Sequence, residues 1–334
     1  MSLRYLESPV TDPYFNLALE QVVFDRMSRE HEYFMFWQND NAVIIGKNQN
    51  TVAEINAPYV EEHGIRVVRR LSGGGAVYHD LGNLNFTFIV DECVLGAPGR
   101  LDFSTFCTRI AQALQSLGVD AQVNGRNDIT IDGKKFSGNA QYIKEGRVMH
   151  HGTILFDSDL EAVSHVLRVS ADKIESKGIK SVRSRVTNLR EYLPQGVTLK
   201  QFQSRLLEMM FPSQTLPRHE LTPEELSEIE RLRSERYLRW DWNYGVSPPY
   251  HIHKKRRFEG VGSIEASMDI EKGRITGLAF SGDYFGVEDS GRLAAQLVGC
   301  LADANALSEM LSTVPVDSYF SRLETAELVR LLAE

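Results

Sequence analysis

The sequence predicts an α+β fold in two domains, and three observations support this. A glycine-rich turn lies between two strand-like apolar runs, at residues 65–68 and 84–90. Residues 101–117 carry apolar side chains at helical spacing, which is typical of a helix packed on a sheet. A chain of 334 residues also exceeds what one hydrophobic core usually supports. We therefore expect a larger N-terminal domain over residues 1–245 and a small α+β domain over residues 246–334.

The first predicted elements are a helix and two strands. Asp12 followed by Pro13 is typical of a helix start, with the acid as N-cap and proline at the first helical position, so a helix is predicted over residues 14–26. Strands are predicted at residues 32–38 and 42–45, joined by an Asn-Asp-Asn turn. Residues of the first helix are candidates both for the core and for the wall of a pocket.

The most informative segment is the glycine-rich turn, which reads RRLSGGGAVYHD over residues 69–80. Each glycine weakens regular structure by roughly 0.5–1 kcal/mol relative to alanine, so three in a row indicate positive φ angles or close contact between a ligand and the backbone. Fixed cations and an imidazole flank this exposed backbone. The segment predicts a site for a phosphate beside a reacting carbonyl, although it has neither a Walker pattern nor a dinucleotide-binding pattern.

A second cluster, NDITIDGKKFSGNA, covers residues 127–140. Asp132-Gly133 predicts a hairpin turn between two short strands. Asp128 suits Mg²⁺, and a lysine across the hairpin suits an α-phosphate oxygen. Strand alternation puts Lys134 and Lys135 on opposite faces, so only one of them points inward.

The third cluster is a strand over residues 148–156. Alternation places His151 and Thr153 on one face and His150 and Gly152 on the other.

The C-terminal part predicts a helix, a linker and a small α+β unit. Thr222-Pro223-Glu224-Glu225 is a capping box that opens a helix to about residue 237. The aromatic and proline-rich run at residues 240–249 is predicted to be a linker. A hairpin over residues 262–270 and 274–281 and three short helices between residues 287 and 333 complete the unit.

In this order, these motifs resemble the lipoate-protein ligase A family, whose catalytic core is similar to that of biotin-protein ligases. The resemblance spans the chain and rests on the following residues: Asn16-Leu17-Ala18-Leu19-Glu20, Gly46-x-x-Gln49-Asn50, the block at residues 69–80, Asn127-Asp128, Lys135-x-Ser137-Gly138-x-Ala140 and His151-Gly152-Thr153. It implies an α/β sandwich-like catalytic domain. It also implies a two-step reaction, in which lipoate and ATP give lipoyl-AMP and pyrophosphate, and the lipoyl group then passes to a lysine of a lipoyl domain.

The resemblance assigns the phosphate end of the site. It selects Lys135 over Lys134 as the catalytic cation, which would stabilise the negative transition state. Arg70 is expected to bind the α-phosphate or the ligand carboxylate bidentately. Asp128 is the expected Mg²⁺ ligand, with Asn127 on the phosphates or ribose. The expected ATP-binding residues are Arg70, Gly75, Ala76, Val77, Tyr78, Asn127, Asp128 and Lys135.

The acyl end is expected to have an apolar wall with small side chains at positions 140 and 152, which leave room for an eight-carbon chain and its dithiolane ring. His79 and His151 are either ligand contacts or ordinary core histidines. The expected lipoate-binding residues are Leu17, Trp37, Arg70, Ser72, Gly73, Gly74, Gly75, Val77, His79, Lys135, Ala140, His151, Gly152 and Thr153.

Two cationic segments remain open to two interpretations each. The stretch over residues 173–190 is either a solvated loop or a flap that closes over the adenylate and excludes water. The basic run at residues 251–257 is either a solvated edge strand or a docking surface for an acidic acceptor domain.

Composition excludes several classes of partner. The net charge of −8 argues against general nucleic-acid binding. No stretch has the length of a signal peptide core or a membrane span, so a cytoplasmic location is expected. Three cysteines without metal spacing suit a reducing compartment.

The resemblance implies E2 subunits of 2-oxoacid dehydrogenases and the glycine cleavage H protein as acceptors, while oligomeric state stays undetermined. An octanoyl or lipoyl transferase of the same fold, and a lipoyl-domain-binding paralogue, are the alternatives. The transferase would require a cysteine nucleophile, and no cysteine lies in the glycine, lysine or histidine blocks.

Overall fold

The structure is a computed structural model, and it describes residues 2–96, 99–167, 185–212, 216–244, 252–271 and 273–333. Within these residues, each helix is too short or too polar to cross a membrane. The predicted boundary between residues 245 and 246, and most of the predicted flap, lie outside the described residues.

Most strands belong to one large sheet, with order β1-β2-β6-β10-β9-β8-β7, in which only β1 and β2 pair in parallel. A small sheet has the order β4-β3-β5, and the C-terminal sheet has the order β11-β12-β13. The strands are β1 Ser2–Glu7, β2 His31–Trp37, β3 Ala42–Ile45, β4 Arg66–Arg69, β5 Val77–His79, β6 Asn83–Asp91, β7 Gln122–Asn124, β8 Asp128–Ile131, β9 Lys134–Lys144, β10 Arg147–Leu155, β11 Ile252–Phe258, β12 Gly262–Glu271 and β13 Arg274–Gly282.

The helices pack on both faces of the large sheet and on the C-terminal sheet. The helices are α1 Pro13–Asp25, α2 Thr51–Glu54, α3 Ala57–Glu62, α4 Ser104–Ser116, α5 Leu160–Val166, α6 Leu199–Met210, α7 Pro223–Leu232, α8 Trp240–Asn243, α9 Ser290–Leu297, α10 Ala304–Leu311, α11 Val316–Tyr319 and α12 Thr325–Ala333. Short 3₁₀ turns occur at Glu92–Val94 and Leu189–Tyr192, and a π turn follows α7 at Arg233–Tyr237.

Two hydrophobic cores on opposite faces of the large sheet give the N-terminal part a layered architecture. Phe34, Phe86 and Phe88 pack on one face against α4 and α6. Met35 and Met149 pack on the other face, together with α1 and the small sheet. Since successive strand residues face opposite ways, one sheet serves both cores. The predicted α+β fold class, with a sandwich-like N-terminal part, is confirmed.

The C-terminal unit has its own core, formed by the inner face of its sheet and the helices α9 to α12. The small α+β unit is therefore confirmed, but two details were wrong. Four helices follow the hairpin rather than three, because the single turn α11 has no clear sequence period. The described start of the predicted linker is the helical turn α8, and its Asn243 is buried.

The predicted elements near the N-terminus form as expected, although their pairing was not foreseen. Asp12 caps α1 by accepting a hydrogen bond from the Tyr14 amide, with Pro13 at the first position. The strands β2 and β3 lie in different sheets, so the Asn39–Asn41 turn is a crossover between layers. Strand β5 was missed because its three residues continue directly from the glycine block.

Candidate active site

A cavity of about 330 Å³ lies between the large sheet and the small sheet. It brings together most of the residues that the sequence singled out, although they are spread over α1, both sheets and the glycine loop. Its lining residues are Leu17, Trp37, Ile44, Arg70, Gly74, Gly75, Ala76, Val77, His79, Asn85, Arg126, Asn127, Asp128, Lys135, Gly138, Asn139, Ala140, His151, Gly152, Thr153, Arg257, Asp283 and Phe285.

The cavity has an apolar end and a charged end. Trp37 lies on β2, while Asp128 lies on β8, four strand steps away across the sheet. At about 4.8 Å per step, the two ends are roughly 19 Å apart. Leu17 and Val77 pack in one cluster with Trp37, and Lys135 and Arg126 lie near the charge of Asp128. Such a cavity suits an elongated ligand with an apolar tail and an anionic head.

The charged end is organised by an ion pair between Lys135 Nζ and Asp128 Oδ1, which are 2.7 Å apart. The register between β8 and β9 shifts beside Ile129, so Phe136 is an extra residue that changes the facing of Lys135. Gly138 makes room for the ammonium group, since a Cβ at that position would lie 2.8 Å from Lys135 Nζ. This contact explains the Lys-x-x-Gly spacing.

Arg70 is buried and holds the glycine loop from within. Its Nη2 donates to the carbonyls of Gly73 and Gly75 at 2.7 and 2.9 Å, and its Nη1 donates to the carbonyl of Ile44 at 3.1 Å. Burial lowers the pKa of Arg70 to about 10, so the guanidinium stays charged at neutral pH. Arg70 lines the cavity, but it also forms the frame of the loop.

The three glycines of the loop lie against different neighbours. Gly74 has φ +89°, and a Cβ there would lie 2.6 Å from Cζ of Phe285. A Cβ at Gly73 would lie 2.5 Å from the carbonyl oxygen of Tyr284. A Cβ at Gly75 would meet no protein atom within 4 Å, and Gly75 lines the cavity. Gly73 and Gly74 therefore accommodate the C-terminal unit, whereas Gly75 leaves room in the cavity.

This difference predicts separate effects for two alanine substitutions. Gly74→Ala should lower the free energy of unfolding by about 2–4 kcal/mol, because positive φ and a steric clash both oppose the methyl group. Gly75→Ala should stay within about 0.5 kcal/mol of wild type but raise KM for ATP or lipoate. Urea unfolding and steady-state kinetics measure the two effects. A stable Gly74→Ala protein would contradict the assignment.

A buried hydrogen-bond chain joins the apolar end to the glycine loop. Arg70 Nε donates to Ser72 Oγ at 3.1 Å, and Ser72 Oγ lies 2.6 Å from His151 Nε2. His151 Nδ1 lies 2.8 Å from Glu20 Oε1. Glu20 Oε1 also accepts from Thr87 Oγ1, which in turn accepts from Trp37 Nε1. Both ring nitrogens of His151 are thus engaged within the protein.

His79 lines the cavity beside Trp37, and their ring centroids are 6.1 Å apart. Its side chain is buried, and burial, with the charge of Arg70 adding to it, lowers the pKa of His79 to about 3. The ring is therefore neutral at physiological pH. Its Nδ1 contacts the amide nitrogens of Asn39 at 3.2 Å and Asn85 at 3.5 Å.

The C-terminal unit closes the charged end, which the sequence did not predict. Arg126 stacks on Phe285, with its guanidinium carbon 4.4 Å from the ring centroid. Arg126 also donates to the carbonyl of Val261, and burial lowers its pKa to about 10. Arg257 Nη1 lies 3.8 Å from Asp283 Oδ2. Three cationic side chains, those of Lys135, Arg126 and Arg257, thus meet at this end.

Three of the expected site residues do not line the cavity. Tyr78 alternates away from it and donates to Asn41 Oδ1. The Ser72 side chain does not reach the cavity and instead contacts His151, and Gly73 faces Tyr284. Eight lining residues were missed, although five of them, namely Ile44, Asn85, Gly138, Asn139 and Arg257, belong to segments that the sequence had marked. The missed lining residues are Ile44, Asn85, Arg126, Gly138, Asn139, Arg257, Asp283 and Phe285.

The three cysteines lie away from the cavity. Among the described residues none of the three cysteines lines the cavity, and Cys107 is buried in α4, where burial raises the pKa of its thiol to about 12. A cysteine nucleophile is therefore not placed at the site.

The end of the cationic stretch is described, and Arg185 and Thr187 pair with the backbone of Lys135. Residues 168–184 lie outside the description.

The sequence matches the family described as "Lipoyl protein ligase A/B catalytic domain" over residues 12–211 and the family described as "Bacterial lipoate protein ligase C-terminus" over residues 247–332. The chain belongs to the lipoyl protein ligase family. It is 44% identical to lipoate-protein ligase LplJ of Bacillus subtilis, with 97% of each chain covered. It is 43% identical to lipoate-protein ligase 1 of Staphylococcus aureus, with 97% of this chain and 98% of that one covered.

Solved structures agree with this membership. The bi-partite lipoate protein ligase of Thermoplasma acidophilum, solved with its E2 lipoyl domain, is similar with TM-score 0.63 and 28% identity, over 75% of this chain and 100% of that one. A lipoate-protein ligase A bound with ATP is similar with TM-score 0.61 and 27% identity, over 74% and 100%. Plasmodium falciparum LipL1 in complex with lipoate shares the fold along 99% of both chains, with TM-score 0.80 and 24% identity.

Proposed function

We propose that this protein is an ATP-dependent lipoate-protein ligase that forms lipoyl-AMP with release of pyrophosphate and then transfers the lipoyl group to a lysine of a lipoyl domain. The observation that carries the proposal is the pairing of Lys135 with Asp128 at one end of a cavity whose other end is apolar. Membership in the lipoyl protein ligase family and the ligands bound by related structures support it.

In the proposed reaction the ammonium group of Lys135 lies beside the α-phosphate. When the lipoate carboxylate attacks the phosphorus, negative charge develops on the phosphate oxygens and pyrophosphate leaves. A fixed cation in a site shielded from water stabilises this charge strongly. The same cation stabilises departing AMP when the acceptor amine attacks the acyl carbon. Arg126 and Arg257 are positioned to hold the outer phosphates. Arg70 keeps the loop in shape beside them.

The proposed roles of the remaining site residues follow their positions. Asn127 lies next to Asp128 and serves the phosphates or ribose. Gly75 and Ala76 border the nucleotide side, and the backbone carbonyls of Gly73 and Gly75 are held by Arg70. The proposed wall of the acyl tunnel consists of Leu17, Trp37, Val77, Ala140 and Thr153.

The donor set at the charged end fits Mg²⁺. Mg²⁺ prefers oxygen ligands and is usually bound by one or two carboxylates together with substrate phosphates. Among the described residues no group of three His, Cys, Asp or Glu side chains would hold a metal ion by itself, so Asp128 would share it with ATP. Bound there, the ion would neutralise phosphate charge. The ion pair with Lys135 would hold the Asp128 carboxylate in place.

The assignment of Asp128 predicts a specific metal phenotype. Asp128→Asn should raise the Mg²⁺ concentration needed for half-maximal pyrophosphate release by about tenfold or more, because the amide has no charge for the ion. Asp132→Asn is a matched control on the same hairpin. Asp132 is exposed with φ +50°, a conformation that asparagine tolerates. Equal Mg²⁺ dependence in the two variants would contradict the assignment.

The proposal also covers acceptors, location and domain division. Lipoyl domains of E2 subunits and the H protein are the proposed acceptors, a cytoplasmic location is proposed, and the chain is proposed to divide near residues 245 and 246. The deciding experiment incubates the protein with ATP, Mg²⁺, lipoate and purified lipoyl domains. Mass spectrometry should show addition of one lipoyl group, accompanied by pyrophosphate release. Release of no pyrophosphate and no modification of any lipoyl domain would overturn the proposal.

A further inference from the structure

The two histidines of the cavity differ in whether a ring nitrogen remains available to bond to a ligand. Both ring nitrogens of His151 are hydrogen-bonded, to Ser72 and to Glu20. His79 is bonded at Nδ1 only, and its buried Nε2 has no hydrogen-bond partner among the residues that the structure describes. A buried polar atom without a partner is energetically unfavourable, so its presence in a residue that lines the cavity points to a ligand atom.

The hydrogen-bond network determines which ring nitrogen of His79 carries the proton. The side-chain nitrogen of Asn16 is distinguished from its oxygen by the backbone carbonyls of Val10 and Gln38, at 3.2 and 2.7 Å, because a carbonyl oxygen only accepts hydrogen bonds. That nitrogen also donates to Asn39 Oδ1 at 2.9 Å, so Asn39 directs its own amide nitrogen at His79 Nδ1. Nδ1 is therefore an acceptor, and the neutral ring carries its hydrogen on Nε2.

The position of His79 determines which part of the ligand it meets. The anionic head belongs at the charged end, where Lys135 and Asp128 lie on β9 and β8. His79 contacts Trp37 and Asn85, which face each other across β2 and β6 at the opposite end. His79 therefore lies beside the tail of an acyl chain whose head is bound at the charged end. A saturated tail has no atom that accepts a hydrogen bond, whereas a dithiolane ring has two sulfur atoms that accept weakly.

We infer that Nε2–H of His79 donates a hydrogen bond to a ring sulfur of the substrate and makes this site select a dithiolane over a carbon tail of the same shape. The inference rests on the proposed lipoate ligase function and adds to it a residue that determines tail specificity. A carbon tail leaves the donor unpaired in a buried site, and such sites discriminate against ligands that lack the acceptor.

The test compares lipoate with 5-cyclopentylpentanoate, in which a carbon ring replaces the dithiolane, and with octanoate. The kcat/KM for pyrophosphate release is measured with each acid. Wild type should prefer lipoate over the cyclopentyl acid by about tenfold, which is the range of one neutral hydrogen bond. Equal values for the two ring acids in wild type would overturn the inference without any variant.

Two variants of His79 separate the effect of its Nε2–H donor from its contact with Asn39. His79→Asn keeps an acceptor near the Nδ1 position for Asn39 and removes the donor at Nε2, so the preference should fall to about one- to twofold. His79→Gln places an amide nitrogen near the Nε2 position and should retain more of the preference than His79→Asn. Thermal unfolding checks that both variants are folded.

The outcomes also distinguish this inference from the proposed function. An unchanged lipoate preference in His79→Asn would refute the role of the donor. An equal loss with all three acids would place His79 on the carboxylate or on a structural water instead, and would refute it as well. Failure of wild type to release pyrophosphate with lipoate would instead refute the ligase proposal itself.

Discussion

Lys135→Ala is expected to lower the rate of pyrophosphate release from ATP and lipoate by about 100- to 1,000-fold, the usual effect of removing one charge-stabilising group from an active site. The loss has two sources. The developing phosphate charge is no longer balanced, and the carboxylate of Asp128 loses the ammonium group that lies 2.7 Å away. An unpaired carboxylate beside ATP phosphates adds repulsion.

Lys134→Ala is the matched control, because Lys134 precedes Lys135 in the same hairpin but does not line the cavity. Its pyrophosphate release should stay within about twofold of wild type, as expected of a substitution on the hairpin away from the site. Single-turnover formation of lipoyl-AMP, followed by chromatography, separates the adenylation step from acyl transfer. A larger loss in Lys134→Ala than in Lys135→Ala would reverse the assignment of the catalytic lysine.

The choice between these two lysines shows how far the sequence could predict the site. Alternation indicated that only one of them points inward, but not which one. The answer depends on the extra residue Phe136, which changes the facing of Lys135 and appears only when β8 pairs with β9. The hairpin turn itself was predictable, because Asp132 and Gly133 both adopt positive φ and the Asp-Gly pair favours that conformation.

Contacts between distant parts of the chain were beyond the sequence. The glycine block was expected to contact ligand throughout, yet Gly73 and Gly74 are packed against Tyr284 and Phe285 of the C-terminal unit. Nothing in the local pattern of residues 69–80 encodes a partner two hundred residues away. The faces of β10 were predictable, since alternation places His150 on Phe106 and His151 at the cavity.

The two arginines that begin the glycine block also differ in whether they line the cavity or bond to a distant part of the chain. Only Arg70 was expected to contact the ligand, and Arg69 bonds to the carbonyls of Gly46 and Gln49 and to the backbone of Trp242. Burial lowers the pKa of Arg69 to about 10, as it does for Arg70. Arg69 does not line the cavity and joins α8 to the loop after β3, whereas Arg70 lines the cavity.

Arg70→Lys is expected to lower kcat/KM for adenylation by more than about 100-fold and the free energy of unfolding by about 2–4 kcal/mol, as carbonyl groups in the buried loop lose their partners. The guanidinium spans the carbonyls of Ile44, Gly73 and Gly75, and a single ammonium group does not reproduce that fork. The glycine loop then loses the shape in which Gly75 opens into the cavity.

Arg69→Lys is the comparison that separates stability from site geometry. It should lower the free energy of unfolding by a similar amount, because Arg69 is equally buried and bonded. Measured well below its melting temperature, however, the folded Arg69→Lys protein should keep KM values for ATP and lipoate near those of wild type. Urea unfolding of the two variants measures the effect on stability, and adenylation kinetics measure the effect on the site. Wild-type kcat/KM in Arg70→Lys would show that the loop does not need this guanidinium to form the nucleotide side of the site.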